Sequence, residues 1–209
     1  MTLSRTNSHW IALGLFLLFT LLAPLSVSAG VPTDQIKVTV DKAMAVLKDP
    51  RLKPAGKTKE RREQLKQILF VRFDFAEMAK RALGANWRRR TPKEQDEFVR
   101  LFTDLLERAY TDTIESYTDE KIVYVGEKLD GTYADINSKI LTSKGEEFSI
   151  NYRAHFVGGE WRVYDVVVEN ISMVNNYRSQ FNRVIANSSY EELVRRLKDK
   201  QSEFTTRKN

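Results

Sequence analysis

Apolar positions along this chain recur first at helical spacing, then alternate, then return to helical spacing. In "PTDQIKVTVDKAMAVLKD", Ile36, Val40, Met44 and Leu47 form one stripe of a helix. Pro50 and Pro54 end it. "KERREQLKQILF" and "DFAEMAKRALG" read as two further helices, the second stopped by Gly84. The longest helix has the clearest start: Thr91 caps, Pro92 takes the first helical position and Glu94 completes a capping box. Phe98, Leu101, Phe102, Leu105 and Ala109 then share one face as far as Tyr117. From Lys121 the period becomes two. "KIVYVGEK", "YADINSKIL", "EEFSINYRAHF" and "EWRVYDVVVEN" read as strands, with turns at Asp130-Gly131, Lys144-Gly145 and Gly158-Gly159. Val174 to Asn187 and "SYEELVRRLKDKQSEF" return to helix, with Ser189 as cap and Glu192 reaching back to it. Short turns between consecutive strands make neighbours antiparallel. The pattern is an α+β domain: helical over 32–117, sheet over 121–170, C-terminal helices over 174–204. The sheet has four strands or slightly more, with helices packed on one face.

The first 29 residues carry a different signal. Arg5 precedes the apolar run "WIALGLFLLFTLLAPL", and Val27-Ser28-Ala29 offers small residues to a signal peptidase. The run falls short of the roughly 20 residues of a membrane span, and Pro24 interrupts its end. Residues 1–29 are therefore read as a cleaved export signal, with an uncleaved anchor as the alternative. Residues 30–209 are left as one domain, large enough to build a core without staples. The chain has no cysteine, so no lipid-anchoring cysteine follows the cleavage point. Export without disulfides or glycan dependence points to a bacterial periplasm.

The formal charge is +6. Basic residues crowd in "KDPRLKPAGKTKERR", Arg88-Arg89-Arg90 and "RRLKDK", which favours anionic partners such as acidic protein faces or lipid head groups. Export argues against nucleic acid.

Catalytic equipment is sparse. His155 is the one histidine beyond the export signal, too few for a usual zinc site or a Ser-His-Asp triad. "AGKTK" imitates the end of a phosphate loop, but Arg51 stands where the first glycine is required. No metal or nucleotide cofactor is expected. One acid stands out: Asp165, inside an apolar strand, is either a buried general base or a structural acid bonded to a turn or to Arg162 or Arg178.

"FDFAEMAKRALGANWRRRTPKEQDEFVRLFTDLLERAY" and "WRVYDVVVENISMVNNYRSQF" resemble the MlaC family, once called toluene-tolerance proteins. The resemblance runs over Val31 to Phe204. Asn170 departs from it, standing where relatives usually have Gly; Asn also tolerates a left-handed turn. The resemblance implies a monomeric periplasmic phospholipid carrier with a cone-like fold, as in nuclear transport factor 2. It implies shuttling between the MCE-domain subunit of an inner-membrane ABC transporter and an outer-membrane lipoprotein. A hopanoid or other apolar lipid is the alternative cargo, and an exported enzyme using Asp165 the alternative class. On this reading the helices contribute Met78, Leu83, Phe98, Leu101, Phe102 and Leu105 to a lipid cavity. The sheet contributes Ile136, Ile140, Tyr152, Val163, Val166 and Val168, and Tyr177 and Phe181 close it. Arg88, Arg89 and Arg90 are candidates for head-group or partner contact, provided their loop borders the cavity mouth.

Overall fold

A computed structural model describes residues 31–117 and 120–206. The segment read as an export signal lies outside the described residues. Helices α1 (Pro32–Lys48), α2 (Thr58–Phe70), α3 (Phe75–Leu83) and α4 (Pro92–Ser116) come first. Strands β1 (Lys121–Asp130), β2 (Tyr133–Leu141), β3 (Glu147–Val157), β4 (Glu160–Val168) and the short β5 (Ile171–Ser172) follow. Helices α5 (Met173–Asn187) and α6 (Tyr190–Thr206) complete the fold.

The strands form one antiparallel meander in the order β1-β2-β3-β4-β5. Its turns are chemically determined. Gly158 and Gly159 both take positive φ, 61° and 84°, as a two-residue hairpin turn with the twist of its flanking strands requires. Glu169 and Asn170 do the same between β4 and β5, with φ of 46° and 65°. Asn at the second position tolerates this; Glu169 is held there by Ser149, which accepts from its N–H at 3.1 Å and donates its own N–H and hydroxyl to the carboxylate. The two residues of β5 fall between the last strand and the following helix read from the sequence.

Helix ends follow their caps. Thr91 Oγ1 accepts from the Glu94 N–H at 3.3 Å, and the Glu94 carboxylate accepts from the Thr91 N–H at 2.7 Å, so the capping box is complete. Gly84 ends α3 at φ 58°. Ser189 accepts from the Glu192 N–H at 3.2 Å, but the Glu192 carboxylate does not reach back. It is taken instead by Arg195 and Arg196, at 2.7–2.8 Å.

Three apolar clusters form the core. Along β2 the positions alternate, with Ala134, Ile136, Ser138 and Ile140 buried. The upper part of this face packs with Ala154, Val163, Val166 and Ile36 of α1. The second cluster joins α3, α4, α5 and α6. There Phe98 and Phe102 meet Phe181 edge-on, with ring centroids 5.7 Å apart in both pairs, and Tyr177 meets Phe102 at 5.3 Å. The third, Ala43, Leu47 and Leu65, joins α1 to α2. The segment between α2 and α3 runs beside β4: the Asp74 N–H donates to the Val163 carbonyl and the Val163 N–H to the Arg72 carbonyl, both at 2.8 Å.

Candidate functional site

All three clusters border one cavity of about 1480 Å³. That exceeds the roughly 300–1,000 Å³ of ordinary small-molecule pockets. Its wall takes Met78 and Leu106 from the helical cluster, Ile36, Val163 and Val166 from the sheet cluster, and Ala43, Leu47 and Leu65 from the α1–α2 pair. Ile140, Ile150, Tyr152 and Val168 of the sheet, Phe70 and Ile114 of the helices, Phe73 between α2 and α3 and Tyr117 just after α4 extend the apolar lining. Charged side chains sit on the wall where α2 approaches the second half of α4: Lys59, Arg62, Glu63 and Lys66 from one helix, Asp104, Glu107, Arg108 and Asp112 from the other.

Of the residues the sequence singled out, Met78, Ile140, Tyr152, Val163, Val166 and Val168 stand on this wall. Leu83, Phe98, Leu101, Phe102, Leu105, Tyr177 and Phe181 instead fill or flank the α3–α6 cluster. Ile136 is wholly buried in the sheet cluster and not on the wall. The reason lies in α4, whose apolar face changes partner along its length. Its first turns are covered by α3, α5 and α6, and the wall begins only at Asp104. The wall residues that the sequence missed, Ile114, Tyr117 and the α1–α2 side chains, lie on stripes no different from a core stripe.

Arg88, Arg89 and Arg90 do not border the cavity. They end the 3₁₀ turn before α4, about 20 Å along the helix axis from Asp104. Arg90 lies over the Tyr190 ring at 4.4 Å and reaches Glu94 at 3.4 Å, bracing α6. Arg88 and Arg89 are exposed.

Asp165 is buried, and its carboxylate is fully engaged. It accepts from the Ser172 hydroxyl at 2.5 Å, the Val174 N–H at 3.0 Å and Arg153 at 3.2 Å. Its cation is Arg153, rather than Arg162 or Arg178. These bonds fasten the start of α5 to β4, which is the structural role.

Tyr152 is open to the cavity yet deep in the protein. Burial pushes its phenol up to about 12, with Tyr117 adding to the rise and the neighbouring Ser138 hydroxyl opposing it. The hydroxyl therefore stays neutral, as an apolar chamber requires.

Residues 37–199 match the model of the MlaC protein family. The chain belongs to the MlaC family. Among the relatives of this MlaC-family chain is the toluene tolerance protein ttg2D of Pseudomonas putida, 25% identical over 170 residues, 80% of this chain and 79% of that one. Another is the intermembrane phospholipid transport system binding protein MlaC of Haemophilus influenzae, 22% identical over 139 residues, 64% of each chain. A solved structure from Ralstonia solanacearum, a phospholipid-binding protein in complex with a phospholipid, superposes with a TM-score of 0.75. It is 25% identical, and the match covers 84% of this chain and 99% of that one.

Proposed function

We propose that this chain is a periplasmic phospholipid carrier, with the acyl chains in the cavity between sheet and helices and the head group at its rim. The observation that carries this reading is the cavity itself, about 1480 Å³ and mainly apolar in its lining, in a fold whose Ralstonia neighbour was solved with a phospholipid. Each CH₂ moved from water into such a chamber contributes roughly 0.8 kcal/mol, so a diffusing carrier must cover the chains almost completely. Release then requires a docked partner that offers an equally apolar path. By family resemblance these partners are an inner-membrane MCE-domain subunit of an ABC transporter and an outer-membrane lipoprotein. Residues 1–29 act as the export signal, and residues 30–209 form the single lipid-binding domain. Within it, Met78, Ile140, Tyr152, Val163, Val166 and Val168 contact the chains. Arg88 and Arg89, distant from the cavity, serve partner docking.

The test is lipid transfer. The purified protein, incubated with donor vesicles of fluorescent phospholipid and separated from them, should retain label in proportion to protein. A folded protein that retains none under any donor composition overturns the reading.

A further inference from the structure

The charges where α2 faces α4 across the cavity form two opposed rows. Arg61 and Arg62 reach Glu115 at 2.8 and 2.7 Å, Arg62 also reaches Asp112 at 2.7 Å, and Lys66 reaches Glu107 at 2.9 Å. In these pairs the cations stand on α2 and the carboxylates on α4; Glu63 of α2 and Arg108 of α4 line the cavity beside them. Arg62, Lys66 and Leu69 lie at i, i+4 and i+7, one stripe of α2, and all three line the cavity. Polar heads thus sit one helical turn from apolar wall, and the Lys66 ammonium lies 5.1 Å from the centre of the Phe70 ring.

The pairs are not equivalent. The Glu115 side chain is 10% exposed, and Arg61 is further tied to the Leu52 carbonyl at 2.9 Å. That part is a fixed joint, which Arg62 shares through its Nε at 2.9 Å; the bond from Arg62 to Asp112 is the one that can exchange. Asp112 is 83% exposed and Glu107 35%, so water can take over either carboxylate if its cation leaves. An exposed ion pair of this kind is worth little, so exchanging one anion for another across it is easy.

We propose that Arg62 and Lys66 are the phosphate-binding residues of the cavity, exchanging Asp112 and Glu107 for the phosphodiester of a bound lipid. This rests on the carrier reading above. A phosphodiester offers two non-bridging oxygens that share one negative charge to a guanidinium and an ammonium one helical turn apart, and such charge-assisted bonds are the strong ones. With the phosphate there, chains running inward meet Leu65, Leu69 and Phe70. The carboxylates of α4 hold the cations in place while the cavity is empty and compete with the ligand when it arrives.

The experiment compares two lipids with the same acyl chains, phosphatidylglycerol and diacylglycerol, each presented in uncharged dodecyl maltoside micelles to the full protein. Arg62→Gln with Lys66→Gln should weaken phosphatidylglycerol uptake roughly tenfold and leave diacylglycerol unchanged. Glu107→Gln with Asp112→Asn removes the competitors and should strengthen phosphatidylglycerol uptake. A mere α2–α4 tether predicts the opposite, that both double variants shift both lipids in the same direction, and that result overturns the proposal. Arg61→Gln, in the fixed joint, should lower stability while preserving the preference between the lipids. Inorganic phosphate at millimolar concentration should not displace phosphatidylglycerol; displacement would assign the cations to free phosphate and also overturn the proposal. A wild-type protein that takes neither lipid refutes the carrier reading itself, whereas uptake of both with no response to Arg62 and Lys66 refutes only the phosphate site.

Discussion

The Ser172 hydroxyl donates to the Asp165 carboxylate at 2.5 Å while its oxygen accepts from the Asn175 N–H at 3.0 Å. One side chain thereby joins strand β4 to the first turn of α5, and the second oxygen of Asp165 accepts from the Val174 N–H. An apolar strand tolerates a carboxylate here because several donors meet it. Asp165→Ala would strand them, and it is expected to destabilise the protein by about 3 kcal/mol, read from the denaturant midpoint. A loss below about 1 kcal/mol would contradict the structural role. Asp165→Asn, if folded, should keep its lipid load.

Phe102 and Val166 should separate the packed core from the chamber. Phe102 is wholly buried among Phe98, Tyr177 and Phe181, so Phe102→Ala is expected to cost about 3–5 kcal/mol. Val166 stands on the cavity wall, where added volume meets space. Val166→Trp should lower lipid uptake with a far smaller change in unfolding midpoint. Equal destabilisation by the two would show that the wall is packed.

Which apolar faces meet each other and which surround a space is where legibility in the sequence ended. Turn and cap chemistry is local, so Thr91-Pro92-Lys93-Glu94, Gly84 and Gly158-Gly159 marked element boundaries that the structure keeps. Alternation along Tyr133–Leu141 marked the buried face of β2. The cavity was legible in part on its sheet side and, among the helices, only at Met78. Periodicity reports which face of a helix is apolar, not how that face is shared along its length. Phe98 and Phe102 therefore looked the same as Ile114, although the first two are sealed by α5 and α6 and the last faces the chamber. Glu192 failed as a capping partner because Arg195 and Arg196, one turn onward, offer its carboxylate charged donors.

Acid should loosen the joint between α2 and α4. Burial pushes the Glu115 carboxyl up, but hydrogen bonds from Arg62 and Arg61 outweigh it and leave the group below its usual value of 4.5. A carboxyl depressed by folding lends stability above its unfolded pKa, and that stability is lost as pH falls through the folded value. The unfolding midpoint should drop below pH 4.5, and Glu115→Gln should flatten that part of the profile. An unaltered slope in the variant would remove Glu115 from the account.

Alkali should act through buried phenols. Burial pushes Tyr152 and Tyr190 up to about 12, and the Tyr124 and Tyr177 hydroxyls further still. A group whose pKa rises on folding stabilises below its unfolded value, here 10, and loses that contribution as pH climbs through the folded one. Absorbance at the phenolate band should therefore show a late fraction that ionises together with unfolding. Complete ionisation near pH 10 with the fold intact would contradict the burial of these groups.

Central to all of this is that the chamber walled by sheet, α1–α2 and α4 is a lipid site. Native mass spectrometry of the protein, purified without detergent, reads that claim directly. The account predicts a species heavier than the polypeptide by one or more lipids, released on denaturation and identified as phospholipid, and diminished by Val166→Trp. A homogeneous lipid-free mass that remains after incubation with phospholipid vesicles would contradict it.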